Sequence, residues 1–298
     1  MDDSRAPLQP GEQIFQRKHP EGLEKGQQDS LWLEIAQTSI LIETFFGPAP
    51  TPFISGRMAP FSIKPRNPEI ILSITFDDSL VPFTASSEIV AERSGGDLLF
   101  CAPQYRLQLS LSPGAVTRGT VVCRGSFEQI LGALRLALAH HLVFTGRGFL
   151  LHASCVLVGD TAHLFPGPSG TGKSTAISRA PGTILADEIT ALTVSPGGIL
   201  RASGTPFGNR LQPSSLHCPQ LIIHKIVHAQ ENRALPTTAG RIVSILLESL
   251  VFSPTDDAEG QIILDLLMKI IDGCSYDILH LRADGSFWRP YLPTGETK

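Results

Sequence analysis

The chain is short of charge, of paired cysteines and of long apolar runs, and each shortage narrows what it can be. Only 17% of its 298 residues are charged, and 24 Lys plus Arg stand against 28 Asp plus Glu, a formal net charge of -4. That balance offers no general attraction to a phosphate backbone, so nucleic acid is not an expected partner. The five cysteines, Cys101, Cys123, Cys155, Cys218 and Cys274, are odd in number and scattered, with no C-x-x-C pair and no metal-ligand spacing to a histidine. They read as reduced, structural cysteines of a cytoplasmic protein. No apolar run reaches the roughly 18 residues of a membrane span, and the opening MDDSRAPLQPGEQ has acids where a signal peptide has bases. The expectation is a protein that is neither secreted nor membrane-spanning.

Hydrophobic residues, in contrast, make up 42% of the chain, and its 298 residues lie past the size at which one hydrophobic core stops growing. Two domains are predicted. Residues 1–30 are rich in Pro, Gly, Gln and charge and show no period, which predicts a poorly ordered arm. From Leu31 the pattern alternates, through LWLEIAQTSILIETF, EIILSITFDD, SSEIVAERSG, DLLFCAP and YRLQLSLSPG, and predicts a mainly antiparallel β-rich domain over 31–124. Ser126-Phe-Glu-Gln129 is a capping-box signature opening an apolar stretch, Ile130, Leu131, Leu134, Leu138 and Leu142, at helical spacing. A helix is predicted over 126–144, near a domain boundary, with a second, α/β domain over 125–298.

In that second part, GFLLHASCVLVGD and TAHLFPG read as two strands joined by a Gly159-Asp160 turn. A short helix, TAISRA, then the strand TILADEITALTV, a Pro-Gly-Gly turn and ILRASGTPFG follow. DDAEGQIILDLLMKIIDG reads as an amphipathic helix, then YDILHLR as a strand, an Asp-Gly turn and FWRPYL.

Gly167-Pro168-Ser169-Gly170-Thr171-Gly172-Lys173-Ser174, followed by Thr175, satisfies G-x-x-x-x-G-K-[ST] in full, between an apolar strand ending at Phe165 and a helix beginning near Ser174. The glycines let backbone N–H groups turn inward around phosphate oxygens, the helix start adds its dipole, Lys173 reaches the β- and γ-phosphates and Ser174 is placed for Mg2+. An ATP or GTP site leaves ATPase, GTPase, transporter subunit and kinase open. Asp187-Glu188 ends the apolar TILA only fourteen residues after Lys173, with room for one short helix between them. A carboxylate at a strand end beside such a loop can hold Mg2+, and a second can accept a proton from an attacking hydroxyl.

These residues carry a resemblance. His152 to Glu188 is similar to the catalytic domain of HPr kinase/phosphorylase, which has the phosphoenolpyruvate carboxykinase-like P-loop fold. In that family a histidine precedes the first P-loop glycine by fifteen residues, as His152 precedes Gly167, and an Ala-Asp-Asp follows the short helix, where this chain has Ala186-Asp187-Glu188. The resemblance spans about 149–290. It implies an ATP- and Mg2+-dependent kinase in which Lys173 is the phosphate lysine, Ser174 and Asp187 hold the metal, Glu188 is the base on the acceptor hydroxyl and His152 belongs to the active site. The chain departs from the family in having Glu188 where the second aspartate stands, and in having Ala202-Ser-Gly-Thr-Pro-Phe-Gly-Asn-Arg210 in place of the E-I-R-G-x-G loop. The whole pattern resembles HPr-kinase-related proteins of bacterial biosynthetic clusters, some of which phosphorylate a serine of a peptide product.

Of the basic residues that could neutralise the moving phosphoryl group, Arg210, Lys225, Arg233 and Arg241, Arg210 is the first choice because it follows the glycine-containing loop. His140, His141, His163, His217, His224 and His228 have no paired ligand spacing. The reading is therefore an ATP-dependent kinase of a hydroxyl, first a serine of a protein or peptide. The alternatives are a small-molecule kinase of the same fold and an ATP-sensing regulator without transfer. Homo-oligomerisation follows from the resemblance alone, HPr kinases being hexameric.

Overall fold

The computed structural model describes residues 29–45, 58–80, 89–94, 96–209, 215–217, 220–252, 254–282 and 286–291. Most of the expected arm and Arg210 and Cys218 lie outside the described residues. The fold is mixed α/β, with strands predominating. The described residues form two sheets and four α-helices.

The first sheet has seven strands in the order β1-β2-β3-β7-β6-β5-β4. These are β1 (Asp29–Ile35), β2 (Thr38–Phe45), β3 (Ile70–Phe76), β4 (Val90–Ser94), β5 (Asp97–Ala102), β6 (Tyr105–Ser110) and β7 (Thr117–Cys123). It is mixed: β3 lies parallel to both β2 and β7, and the other four pairings are antiparallel. The run LWLEIAQTSILIETF is a hairpin, β1 and β2, turned by Ala36 (φ 51°) and Gln37 (φ 61°). Two central residues with positive φ match the strand twist, which is why so tight a turn holds without glycine.

The link between the sheets is α1 (Phe127–Phe144). The capping box at its start is complete, with Ser126 Oγ accepting from the Gln129 amide and Gln129 Oε1 accepting from the Ser126 amide. Such a cap stabilises a helix by about 0.5–2 kcal/mol. Ile130, Leu134, Leu138 and Leu142 are fully buried in one cluster that also contains Leu72, Leu107 and Val121 of the first sheet and Leu150, Ile189 and Ala191 of the second. Truncating any of these leucines to alanine would cost about 2–5 kcal/mol.

The second sheet runs β13-β12-β11-β8-β9-β14-β16-β15, with β10 also on β8. Its members are β8 (Gly148–Val158), β9 (Thr161–Pro166), β10 (Thr183–Ala186), β11 (Ile189–Val194), β12 (Leu200–Ser203), β13 (Ser215–His217), β14 (Gln220–His228), β15 (Arg233–Pro236) and β16 (Ser275–Leu281). The predicted β8–β9 hairpin turns at Gly159 (φ 57°) and Asp160. β14 is parallel to both β9 and β16, giving the sheet a three-stranded parallel centre. One face is covered by α3 (Ala239–Glu248) and α4 (Asp257–Asp272), through a cluster containing Phe149, Leu151, Ala153, Ile242, Leu246, Leu267 and Ile270. On the other face α2 (Lys173–Ser178) contributes Ala176 and Ile177 to a cluster with Val156, Phe165, Ile226 and Trp288. The segment SFWRPY is a 3-10 helix, Ser286–Tyr291, whose Trp288 Nε1 donates to the Ala176 carbonyl at 2.8 Å.

Candidate functional site

Strand β8 sets the site by its alternation. Phe149, Leu151, Ala153 and Cys155 point to α3 and α4, so the even positions point the other way. On that opposite side Leu150 meets the α1 cluster and Val156 meets the cluster under α2. His152 falls between them, half-buried, with α1 on one side and the glycine-rich loop on the other. Its carbonyl accepts from the Gly167 amide at 3.0 Å, fixing where the loop leaves β9.

The loop from Gly167 to Gly172 takes positive φ at Gly167 (137°), Gly170 (85°) and Gly172 (94°), backbone that side chains rarely permit. Lys173 opens α2 and is buried, its Nζ donating to the carbonyls of Gly167 at 2.6 Å and Pro168 at 2.7 Å. Thr171 Oγ1 donates to the Pro168 carbonyl at 3.0 Å. Burial pulls the Lys173 ammonium below its ordinary pKa, and the Glu188 carboxylate opposes that shift. Ser174 and Thr175 are exposed at the start of the helix.

The predicted single strand TILADEITALTV is broken at the acids. β10 and β11 pair with different stretches of β8, β10 after a bulge near Leu185, and Asp187-Glu188 spans the gap. The backbone there is held: the Ala153 amide donates to the Glu188 carbonyl at 3.0 Å and Ser154 Oγ to the Asp187 carbonyl at 2.6 Å. Both side chains are thereby presented to the loop. After β12 the chain returns over them. Thr205 Oγ1 donates to the Ile189 carbonyl at 2.7 Å, Phe207 is buried with α1, and the Asn209 amide donates to Asp187 Oδ1 at 3.0 Å.

Together these parts wall a cleft of about 680 Å3, made of Pro168–Gly170, Gly172–Thr175, His152, Asp187 and Glu188, with Asn209, His228 and Glu248. The structure thus brings together the predicted loop, both acids and His152. Lys225, Arg233 and Arg241 do not wall the cleft. Burial, with the positive charges of Arg135 and Lys173, lowers the His152 pKa from its ordinary value, and Glu188 opposes the shift. His152 is therefore uncharged near neutrality.

Three participants escape sequence reasoning. Arg135 lies on α1, where nothing local distinguishes it from a surface arginine. Its Nε is buried without a hydrogen-bond partner, and its charge acts on both His152 and Tyr105. Glu248 ends α3, next to Ser249, whose carbonyl accepts from the His152 amide at 2.6 Å. His228 ends β14, a strand whose parallel pairing no local pattern announces.

Ser174 and Asp187 supply a hydroxyl and a carboxylate on the same cleft. Mg2+ takes one or two such protein oxygens and fills its shell with phosphate and water. The described residues contain no group of three His, Cys, Asp or Glu side chains able to hold a metal by themselves. An ion that arrives with phosphates fits this donor set.

Compared with known proteins, the chain matches no protein-family model and no curated protein. No helix among the described residues is long and apolar enough to cross a membrane.

Proposed function

We propose that the protein is an ATP-dependent kinase that transfers the γ-phosphoryl group to a hydroxyl, a serine of a protein or peptide being the first candidate acceptor, on an HPr-kinase-like P-loop framework. The observation that carries this reading is the convergence of Lys173 and its loop with Asp187, Glu188 and His152 on one cleft.

In this reading the loop amides and Lys173 hold the β- and γ-phosphates. Ser174 and Asp187 hold Mg2+, which neutralises charge on the transferring group when bound. Glu188 takes the proton of the acceptor hydroxyl as its oxygen bonds to the γ-phosphorus. The bond to the bridging oxygen breaks, and ADP departs with that electron pair. His152, uncharged beside Glu188, can share a hydrogen bond with the acceptor without competing for the carboxylate's charge. Most of the rate then comes from positioning and fixed electrostatics.

The test is incubation with labelled ATP, Mg2+ and serine-containing peptides, beside Lys173→Ala and Glu188→Gln. The expected result is label on a peptide with the wild type only, with nucleotide binding lost in Lys173→Ala and kept in Glu188→Gln. Transfer unaffected by Lys173→Ala overturns the reading, and binding without transfer to any acceptor favours an ATP-sensing role.

A further inference from the structure

We infer that His228 is a phosphate-contacting residue of the nucleotide site, an assignment that rests on the P-loop reading above and adds to it a group from outside the motif.

The placement follows from β14. The strand runs parallel to β9, with Ile223 opposite Leu164, and continues for five residues to His228 while β9 ends at Pro166. Its end therefore stands beside the loop, at the carboxyl ends of neighbouring parallel strands, where open α/β sheets place their ligands. Alternation puts His224, Ile226 and His228 on one face. His224 is fully buried against Phe165, and Ile226 packs with Ala176 and Ile177 of α2. His228 is the next step along that face and the first to emerge, into the cleft.

The contact with the loop is close. A Cβ built on Gly172 would lie 3.0 Å from His228 Cε1 and 3.6 Å from Nε2. The ring thus borders the glycine whose amide and whose neighbours Lys173 and Ser174 form the phosphate cradle. It is exposed and makes no hydrogen bond or ion pair among the described residues. An imidazole can donate from a ring nitrogen to a phosphate oxygen. A ring packed on the cradle itself reaches the phosphate chain first, ahead of the base.

The experiment measures affinities of Mg2+·ATP and Mg2+·tripolyphosphate, the latter by displacement of a fluorescent ATP analogue. The proteins compared are the wild type, His228→Ala, His228→Gln and Lys173→Ala. A hydrogen bond to a charged group predicts that His228→Ala weakens both ligands by about tenfold or more. His228→Gln, which keeps an N–H donor, is expected to recover most of the loss. Unchanged affinities in His228→Ala overturn the inference. So does a loss confined to ATP, which would make the ring a base or ribose contact, and so does a wild type that binds ATP but no tripolyphosphate. If the wild type binds no better than Lys173→Ala, the P-loop reading itself fails, and this assignment with it.

Discussion

Gly208 and Asp187 meet where no side chain fits: a Cβ on Gly208 would lie 2.2 Å from Asp187 Oδ1, the oxygen that also accepts from the Asn209 amide. The glycine is what lets the returning chain lie over the first acid. Gly208→Ala should force the carboxylate or the loop to move, at a cost of about 1–3 kcal/mol in stability. If Asp187 holds the metal, the same variant should need on the order of tenfold more Mg2+ for ATP turnover, since its ligand has been displaced. A magnesium titration of turnover measures this, and an unchanged midpoint would separate Asp187 from the metal.

Arg135 is one of the positive charges that depress the His152 pKa. Arg135→Gln removes that charge and should move the His152 pKa upward, toward its ordinary 6.5. The activity of an uncharged His152 would then begin to fail at a higher pH than in the wild type. Proton NMR titration of the imidazole, assigned with His152→Asn, gives the direction. A downward movement would contradict the placement of the guanidinium.

A buried relay under α2 joins His163 Nδ1 to His224 Nε2 at 2.9 Å and His224 Nδ1 to Asp277 Oδ1 at 2.8 Å. Burial and the neighbouring His224 pull the His163 pKa down from 6.5 to about 3, and burial takes His141 down to about 4. Both are neutral in the fold, whereas the unfolded chain protonates them near 6.5. Their contribution is therefore complete above 6.5 and is lost as pH falls toward 4, by roughly 1.4 kcal/mol per pH unit for each histidine. Urea midpoints at a series of pH values should fall through this window. His163→Gln, which cannot ionise, should flatten the slope by about one proton.

His140 and Glu259 tie α1 to α4 through Nδ1 and Oε1 at 2.7 Å, with His140 fully buried. Burial raises the Glu259 pKa, but the hydrogen bonds from His140 and Thr255 outweigh it and the net shift is downward. Glu259→Ala strands the His140 ring and removes the acceptor of the Thr255 amide and hydroxyl, each bonded below 3 Å. It should cost about 1–3 kcal/mol or more, and Glu259→Gln clearly less, because the amide still offers an acceptor. Thermal unfolding of the two variants provides the comparison.

Features written in local chemistry were legible in the sequence. The capping box, the Gly159-Asp160 hairpin, the glycine-rich loop and the helix over Asp257–Asp272 each have a local pattern with a backbone reason behind it. The Ala36-Gln37 turn was not legible, because neither residue type prefers positive φ and the flanking pairing enforces it. The strand end at Asp187-Glu188 was legible because two acids close the apolar TILA, whereas the restart at Ile189 on a different stretch of β8 is set by pairing and not by local pattern. Helix α3 carries local signals of its own, the Thr238 cap and an apolar face of Ile242, Ile245 and Leu246, and was legible although no element was predicted there. His228 and Glu248 reach the cleft from β14 and α3, and Arg135 on α1 acts on it through the charge it places near His152; their meeting is a property of topology that no window of sequence contains.

Phe207, one residue before Gly208, belongs to the buried cluster that α1 shares with the first sheet. The first sheet is therefore a buttress for the loop that crosses Asp187, although none of its described residues borders the cleft. A fragment begun at 125, where the sequence pattern changes, would keep every residue of the proposed chemistry and strip the packing from behind Phe207. Its inactivity would then measure a lost foundation, and rescue by the first sheet supplied as a separate chain would show that the catalytic parts had been present throughout.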